Sequence, residues 1–264
     1  MGVLFFLAIS LRLIWNDQCI PNYGNVLFDI GLGPLLLRDT YILGLPHWPQ
    51  APSYIWNVIN ILGLLGGGVI LLMIYRYIRE VILQMKRKQE FDKVSLFLFY
   101  ITILNLCLIF FVGYYDRYLI IFPILLLSWG IKIFSIDSIK WVSVTRLSAL
   151  FMIIFFMIFS IGATHDYLSW NRARWCALRS LIEDEQISPR EIDGGFEFNG
   201  WFLYDSRYIE KPGKSYWWVI DDFYIISFGP LIGYKIKNKF PFSRWIPPKK
   251  GFILVLERDE EQQN

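Results

Sequence analysis

Apolar residues are gathered into long unbroken runs over the first two thirds of the chain and into short, alternating runs over the last third. Residues 54–75, 94–114, 118–134 and about 147–164 are each long enough, or nearly so, to cross a hydrocarbon layer of about 30 Å as helices. Residues 1–15 are apolar apart from Arg12 and form a marginal further span. They lack a basic start and a small-residue cleavage pattern, so a signal peptide is not expected. Residues 16–53 are rich in Gly, Pro and Asn and carry Asp17, Asp29, Arg38 and Asp39, the composition of an interfacial loop. Within it, Leu35-Leu36-Leu37 ahead of Arg38-Asp39 can lie along a membrane surface, apolar side down.

Beyond residue 164 the period changes. Leu168, Trp175, Leu178, Leu181 and Ile182 recur at helical spacing without Gly or Pro, which predicts a helix over 165–184 that continues the last span. After Pro189, short runs at Phe196–Tyr204, Tyr216–Phe228, Gly233–Phe240 and Phe252–Glu257 are separated by Gly, Pro and Asp and predict strands. Arg258 to Asn264 reads as a polar, frayed tail. The expected fold class is an α-helical polytopic membrane domain of about four to five spans (1–164). It is followed by a small α+β extracytoplasmic domain with an antiparallel sheet (165–264).

Composition supports this division. Hydrophobic residues make up 55%, aromatics 18%, and mean hydropathy is +0.41, far from a typical soluble domain. Residues 1–164 hold twelve basic and eight acidic side chains, while 165–264 hold fourteen basic and fifteen acidic ones. The net charge of +3 is therefore a sum over unlike halves and gives no reason to expect nucleic acid. The basic stretch 76–93, with Arg76, Arg79, Lys86, Arg87, Lys88 and Lys93, reads as a cytoplasmic loop. Lys132, Lys140 and Arg146 mark a second. That topology puts the 16–53 loop, the Asp116-Arg117 turn and the C-terminal domain on the outer face of the membrane.

The candidate chemistry is sparse. Gly63 and Gly67, one turn apart, suit close helix packing, and no phosphate loop follows them. Cys19, Cys107 and Cys176 are odd in number and scattered, which argues against a disulfide framework or a metal motif, although Cys19 and Cys176 could pair in an oxidising compartment. His47 and His165 are too few and too far apart for a zinc site. No cofactor is evident, and the residues leave a divalent-metal requirement open. Arg117, between two spans, either pairs with Asp116 and snorkels or grips a lipid phosphate with parallel hydrogen bonds. Asp29, Asp39 and Asp116 are carboxylates near the membrane that either act as a base or partner Arg38 and Arg117. Asp193, Glu197, Asn199 and Trp201, with Trp217-Trp218 and Asp221-Asp222, combine aromatic faces with carboxylates and amides. That combination suits sugar contact, or equally the core of a small sheet domain.

Several of these stretches resemble bacterial relatives of the dolichyl-phosphate-mannose protein mannosyltransferases, that is, glycosyltransferase family 39 and the aminoarabinose transferase group. The stretches are Tyr115-Asp116-Arg117-Tyr118-Leu119 with Pro123, Gly31 to Thr40, Thr164 to Arg172, Ile192 to Trp201, and Ser227 to Pro230. The Asp193-Gly194-Gly195-Phe196-Glu197 run is the most specific of them. The resemblance covers most of the chain and corresponds to the C-terminal part of such enzymes. It implies an integral membrane enzyme that passes a sugar from a polyprenyl-phosphate carrier to an acceptor on the outer face. Arg117 and Arg38 would contact the carrier phosphate, and Asp193, Glu197, Asn199 and Trp201 the acceptor or sugar. The family's catalytic acid lies in an N-terminal outer loop that nothing here matches, so a separate N-terminal catalytic half is an expected partner, together with the carrier and membrane lipid. A non-catalytic membrane-anchored module that binds glycan or a partner protein is the alternative. A transporter is disfavoured because no span from 54 to 164 carries an ionisable residue near its middle.

Overall fold

The apolar runs at 54–75, 94–114, 118–134 and 147–164 are helical over their described residues in the computed structural model, which describes residues 27–28, 30–90, 92–112, 116–133, 143–210 and 216–259; the run 1–15 lies outside them. The side chains of 27–28, 108–112, 116–117, 133 and 143–146 lie outside that description. Cys19 and Asp29 fall outside the described residues altogether. The chain forms two compact units, one built on Ser53–Phe155 and the other on Gly31–Pro52 together with Phe156–Asn264.

In the first unit α2 (Ser53–Arg87) is followed by α3 (Lys93–Val112), a 3-10 turn at Asp116–Ile120, α4 (Ile121–Ile133) and the start of α5 (Ser143–Arg179). The basic stretch 76–93 is therefore mostly helical rather than a loop. From Val69 to Arg87 there is no Gly or Pro to end the helix, and it stops in a Schellman motif. There Lys88 takes a left-handed φ of 56°, the Lys88 N–H bonds the Met85 carbonyl at 3.2 Å, and the Gln89 N–H bonds that of Gln84 at 3.0 Å. Asp92 then caps α3, accepting from the Val94 and Ser95 amides at 3.0 and 3.4 Å.

Two helices among the described residues, Ser53–Arg87 and Leu147–Asp184, are long and apolar enough to cross a membrane, each with a window of mean hydropathy 2.3. Lys93–Cys107 and Tyr118–Lys132 are shorter apolar helices. Many apolar side chains face outward, among them Leu72, Ile153 and Ile158 at more than 60% exposure. Such a surface is suited to burial against lipid or another protein. The buried centre of this unit is aromatic. Tyr77 of α2 meets Phe99 of α3 at 5.0 Å and Trp129 of α4 at 5.4 Å between ring centroids, with Met73 and Leu126 around them. A Cβ built at Gly63, Gly66 or Gly68 meets nothing within 4 Å, so no described helix approaches there.

The second unit opens with the one-turn helix α1 (Arg38–Tyr41) and contains the rest of α5, which a π-helical turn (Ser180–Asp184) extends. Cys176 on this helix is a free, exposed thiol. Then follow β1 (Ile192–Asp193), α6 (Phe196–Phe202), β2 (Tyr224–Ser227), β3 (Tyr234–Trp245) and β4 (Pro248–Arg258). The sheet is mixed rather than antiparallel, in the order β1-β2-β4-β3, because β1 runs parallel to β2. The predicted Phe196–Tyr204 strand is helix α6, since Phe198 and Phe202, four residues apart, stack at 4.7 Å. Only the second half of the predicted Tyr216–Phe228 strand is extended; its first half turns, with the Val219 N–H on the Tyr216 carbonyl at 3.0 Å. The last two strands are longer than their apolar runs, and Arg258 belongs to β4 rather than to a frayed tail.

The sheet alternates as a pleat requires. Tyr224, Ile226, Ile253 and Val255 join Leu178, Leu181 and Phe198 in the main core, whereas Ile225, Leu254 and Leu256 form a second cluster with Leu231 and Tyr234. Phe198 sits wholly inside the main core. Phe198→Ala is expected to lower stability by about 3–5 kcal/mol, the usual cost of emptying a buried aromatic site, and thermal unfolding in detergent measures it.

Candidate functional site

The chemistry-bearing residues of the second unit gather around α1. This helix follows Leu35-Leu36-Leu37, of which Leu37 is fully buried, so the apolar run that seemed suited to a membrane surface instead lies in a protein core. Burying the leucines carries Arg38 and Asp39 inward with them.

Arg38 reaches Asp222 through a short Nη1–Oδ2 hydrogen bond and lies 3.9 Å from the Asp193 carboxylate. Its guanidinium also stands 5.0 Å above the Tyr216 ring. Asp222 is shared with Arg258, which bonds Asp221 as well at 3.0 Å. Burial opposes the charge on Arg38, yet Asp222 and Asp193 hold its pKa above the ordinary value. Burial likewise opposes the charge on Asp222, but Arg38 and Arg258 outweigh it and hold the carboxyl below the usual range.

Asp39 is fully buried. Its Oδ2 accepts from the Phe228 and Gly229 amides at 3.1 and 3.3 Å and lies 3.2 Å from His47 Nδ1. Burial raises its pKa, against the pull of Ser227, His47 and Phe228. Gly229 must be glycine for this approach, since a Cβ there would lie 2.3 Å from His47 Nδ1.

Asp193 and Asn199 organise the turn before α6. Asp193 Oδ1 accepts from Asn199 Nδ2 at 2.8 Å and from the Gly195 amide at 3.2 Å, while Asn199 Oδ1 accepts from the Gly194 amide at 3.1 Å. Gly195 has φ +89°, and a Cβ on it would be 2.5 Å from the Leu36 carbonyl oxygen. The Phe196 amide donates to that same oxygen at 2.8 Å. The Gly-Gly pair thus lets two chain segments touch. Burial raises the Asp193 pKa, opposed by Asn199 and Arg38.

Glu197, in the first turn of α6, is hydrogen-bonded at 2.5 Å by Arg174 Nη2 of α5 and keeps 43% of its side chain exposed. Trp201 is 82% exposed. Trp217 and Trp218 both adopt left-handed φ values, 47° and 68°, which non-glycine residues adopt at a cost of about 1–2 kcal/mol each. That conformation puts Trp217 against Tyr41 and Phe196 at 4.8 and 5.5 Å, and Trp218 against Tyr204 at 5.4 Å. The result is a ring-lined surface next to the Arg38–Asp222 pair.

Of the residues singled out from sequence, Arg38, Asp39, Asp193, Glu197, Asn199 and Trp201 share the second unit. Asp116 and Arg117 begin a 3-10 turn, and their side chains lie outside the described residues, as does Asp29. Sequence reasoning missed Arg174 and Arg258. Neither has a spacing signal, and only their acidic partners, Glu197 for Arg174 and Asp222 for Arg258, identify them. No group of three His, Cys, Asp or Glu side chains among the described residues could hold a metal ion. No protein-family model, curated protein or solved structure matches the chain.

Asp222→Asn removes the shared acceptor of two arginines and is expected to cost about 1.5–3 kcal/mol at pH 7, as for a hydrogen bond to a charged group. Because the folded-state pKa of Asp222 is depressed, its contribution is present above the unfolded value near 4 and disappears as pH falls through the folded one. Thermal unfolding of both proteins at pH 7 and at successive steps below about pH 4 should therefore show the difference at neutral pH and its progressive decline in acid.

Proposed function

We propose that the chain is the C-terminal part of an integral membrane glycosyltransferase that moves a sugar from a polyprenyl-phosphate carrier to an acceptor on the outer face of a bacterial inner membrane. In this reading four or five spans anchor it, and the second unit is extracytoplasmic. One observation supports it most. Three stretches that carry the resemblance to glycosyltransferase family 39, Gly31 to Thr40, Ile192 to Trp201 and Ser227 to Pro230, are far apart in sequence yet meet residue to residue. Arg38 faces Asp193, the Leu36 carbonyl receives the Phe196 amide, and Asp39 holds Phe228 and Gly229.

The reaction in this proposal is displacement at the anomeric carbon. The carrier phosphate leaves, held by Arg117, and a carboxylate takes the proton of the acceptor hydroxyl. Arg38 secures the acceptor-facing surface through Asp222 rather than standing free for phosphate. The surface of Trp201, Trp217 and Trp218 stacks on sugar or acceptor rings, with Glu197 at its edge. The base comes from a separate N-terminal half.

A second reading, a membrane-anchored module that binds glycan or a partner protein without catalysis, is favoured by the burial of Asp39 and Asp193. One oxygen of each is held by backbone amides, His47 or Asn199 and the other is buried without a hydrogen-bond partner, so neither carboxylate is open to a substrate from solvent.

Membranes from cells expressing the chain together with any protein encoded next to it should transfer labelled sugar from polyprenyl phosphate. Arg117→Ala should reduce transfer at least about 100-fold, the scale of losing a transition-state charge partner. Absence of transfer, with labelled glycan still retained by the purified chain and lost in Trp201→Ala, would establish the binding module instead.

A further inference from the structure

The β3–β4 hairpin ends in Trp245-Ile246-Pro247-Pro248-Lys249-Lys250, and this tip is fastened to one short piece of α5. Asp166, fully buried, accepts the Trp245 amide on Oδ1 at 2.7 Å and the Ile246 amide on Oδ2 at 2.9 Å. The Trp245 indole stacks on the His165 ring with centroids 3.9 Å apart. The Ile246 side chain lies so close to Gly162 that a Cβ there would be 2.7 Å from Ile246 Cδ1. Two hydrogen bonds, one ring stack and one glycine contact fix the tip within a five-residue stretch of helix.

That stretch is where α5 changes character. From Leu147 to Ile161 its outward side chains are large and apolar apart from Ser148 and Ser160, and include Leu150, Phe151, Ile153, Ile158 and Ile161. At Gly162 burial begins, and His165 and Asp166 are its first titratable residues after Arg146. Leu147 to Ala163 spans about 25 Å at 1.5 Å per residue, close to a hydrocarbon thickness of about 30 Å. Gly162 to Asp166 is then the helix's point of exit. The tip beside it presents an indole that is 53% exposed and two exposed lysines. Neither lysine has an ion-pair partner among the described residues.

We propose that the hairpin tip is a membrane-interface anchor, with Trp245 at headgroup depth and Lys249 and Lys250 on the phosphates of anionic phospholipids. Indole rings concentrate at the membrane–water boundary, where one edge is apolar and the other wet. Lysine stems lie along apolar surface while the ammonium groups reach phosphate, and each lysine near an anionic surface strengthens attachment by roughly five-fold. The Asp166 clamp holds the tip at this height, so that the second unit has two attachments to the bilayer, the helix and the hairpin. This inference rests on residues 147–164 of α5 being embedded in the bilayer, and the experiment separates the two.

The full chain, with its cysteines changed to serine, carries a nitroxide at Leu150→Cys or at Pro248→Cys in nanodiscs of phosphatidylcholine with or without phosphatidylglycerol. Collision with oxygen and with a water-soluble nickel chelate reports depth. The Leu150 label should lie in hydrocarbon in both lipids. The Pro248 label should lie at headgroup level and become several-fold less accessible to the chelate when phosphatidylglycerol is present. Lys249→Glu with Lys250→Glu should abolish that response while leaving thermal unfolding in detergent unchanged. A Pro248 label that is fully aqueous, or shielded equally with and without phosphatidylglycerol, overturns the anchor even if Leu150 is embedded. A Leu150 label in water overturns the membrane placement itself, and the anchor with it.

Discussion

Two consecutive side chains of α1 hold a strand at both ends, and the second unit depends on that clamp. Asp222 lies just before β2 and Phe228-Gly229 just after it. Arg38 takes the first and Asp39 the second. β2 is only four residues long and entirely buried, so it lacks the length to fix its own position through ladder bonds. Opposite charges on neighbouring residues supply the missing constraint. The cost is the desolvation of both: Asp222 outweighs it for the guanidinium, whereas two backbone amides and an imidazole offset it only in part for Asp39, whose pKa stays raised.

Much of the remaining architecture accommodates the close approach that this clamp demands. Gly229 leaves room for His47, and Gly195 leaves room for the Leu36 carbonyl. Gly33 lies where a Cβ would press within 2.7 Å of the Trp170 ring, whose Nε1 in turn donates to the Leu32 carbonyl at 3.2 Å. The segment 31–52 is thus built into the unit by backbone contacts that glycine alone permits, although more than a hundred residues separate it from its partners.

The helices were legible in the sequence because apolar run length and helical period are local quantities, whereas the membership of Gly31–Pro52 in the second unit was not. The π-turn extension to Asp184 fell within the helix expected from Leu168, Leu178 and Leu181. What the sequence hid was non-local. Leu35-Leu36-Leu37 reads the same whether it lies on lipid or in a core, and only the presence of Phe198 and Ile192 decides it. The run Phe196–Tyr204 is apolar enough for a strand; the hydrogen bonds among Asp193, Asn199 and the two glycines instead start a helix there. Parallel pairing of β1 with β2 could not be read from two residues of sequence. In the candidate site, Arg38 and Asp193 were visible as charges, but their pairing was not, because nothing in spacing links positions so far apart.

Carboxylates are plentiful in the second unit, yet availability rather than number limits its chemistry. A general base must reach the proton it removes. Asp39, Asp166 and Asp193 are each 1% exposed or less, and each accepts at least one backbone amide in addition to its other contacts. Using any of them would mean releasing hydrogen bonds that fix α1, the hairpin tip or the start of α6. Glu197 differs: it is nearly half exposed, it sits in the first turn of α6 beside the tryptophan surface, and its one described partner is a buried arginine. Among the described residues Arg174 is held by no other acceptor, with Nε and Nη1 lacking hydrogen bonds, so the pair is asymmetric. The arginine needs Glu197 more than Glu197 needs the arginine. Glu197 therefore combines exposure with a fixed anchor, as Asp221 does through Arg258, and neither would have to give up a backbone hydrogen bond to be reached from solvent.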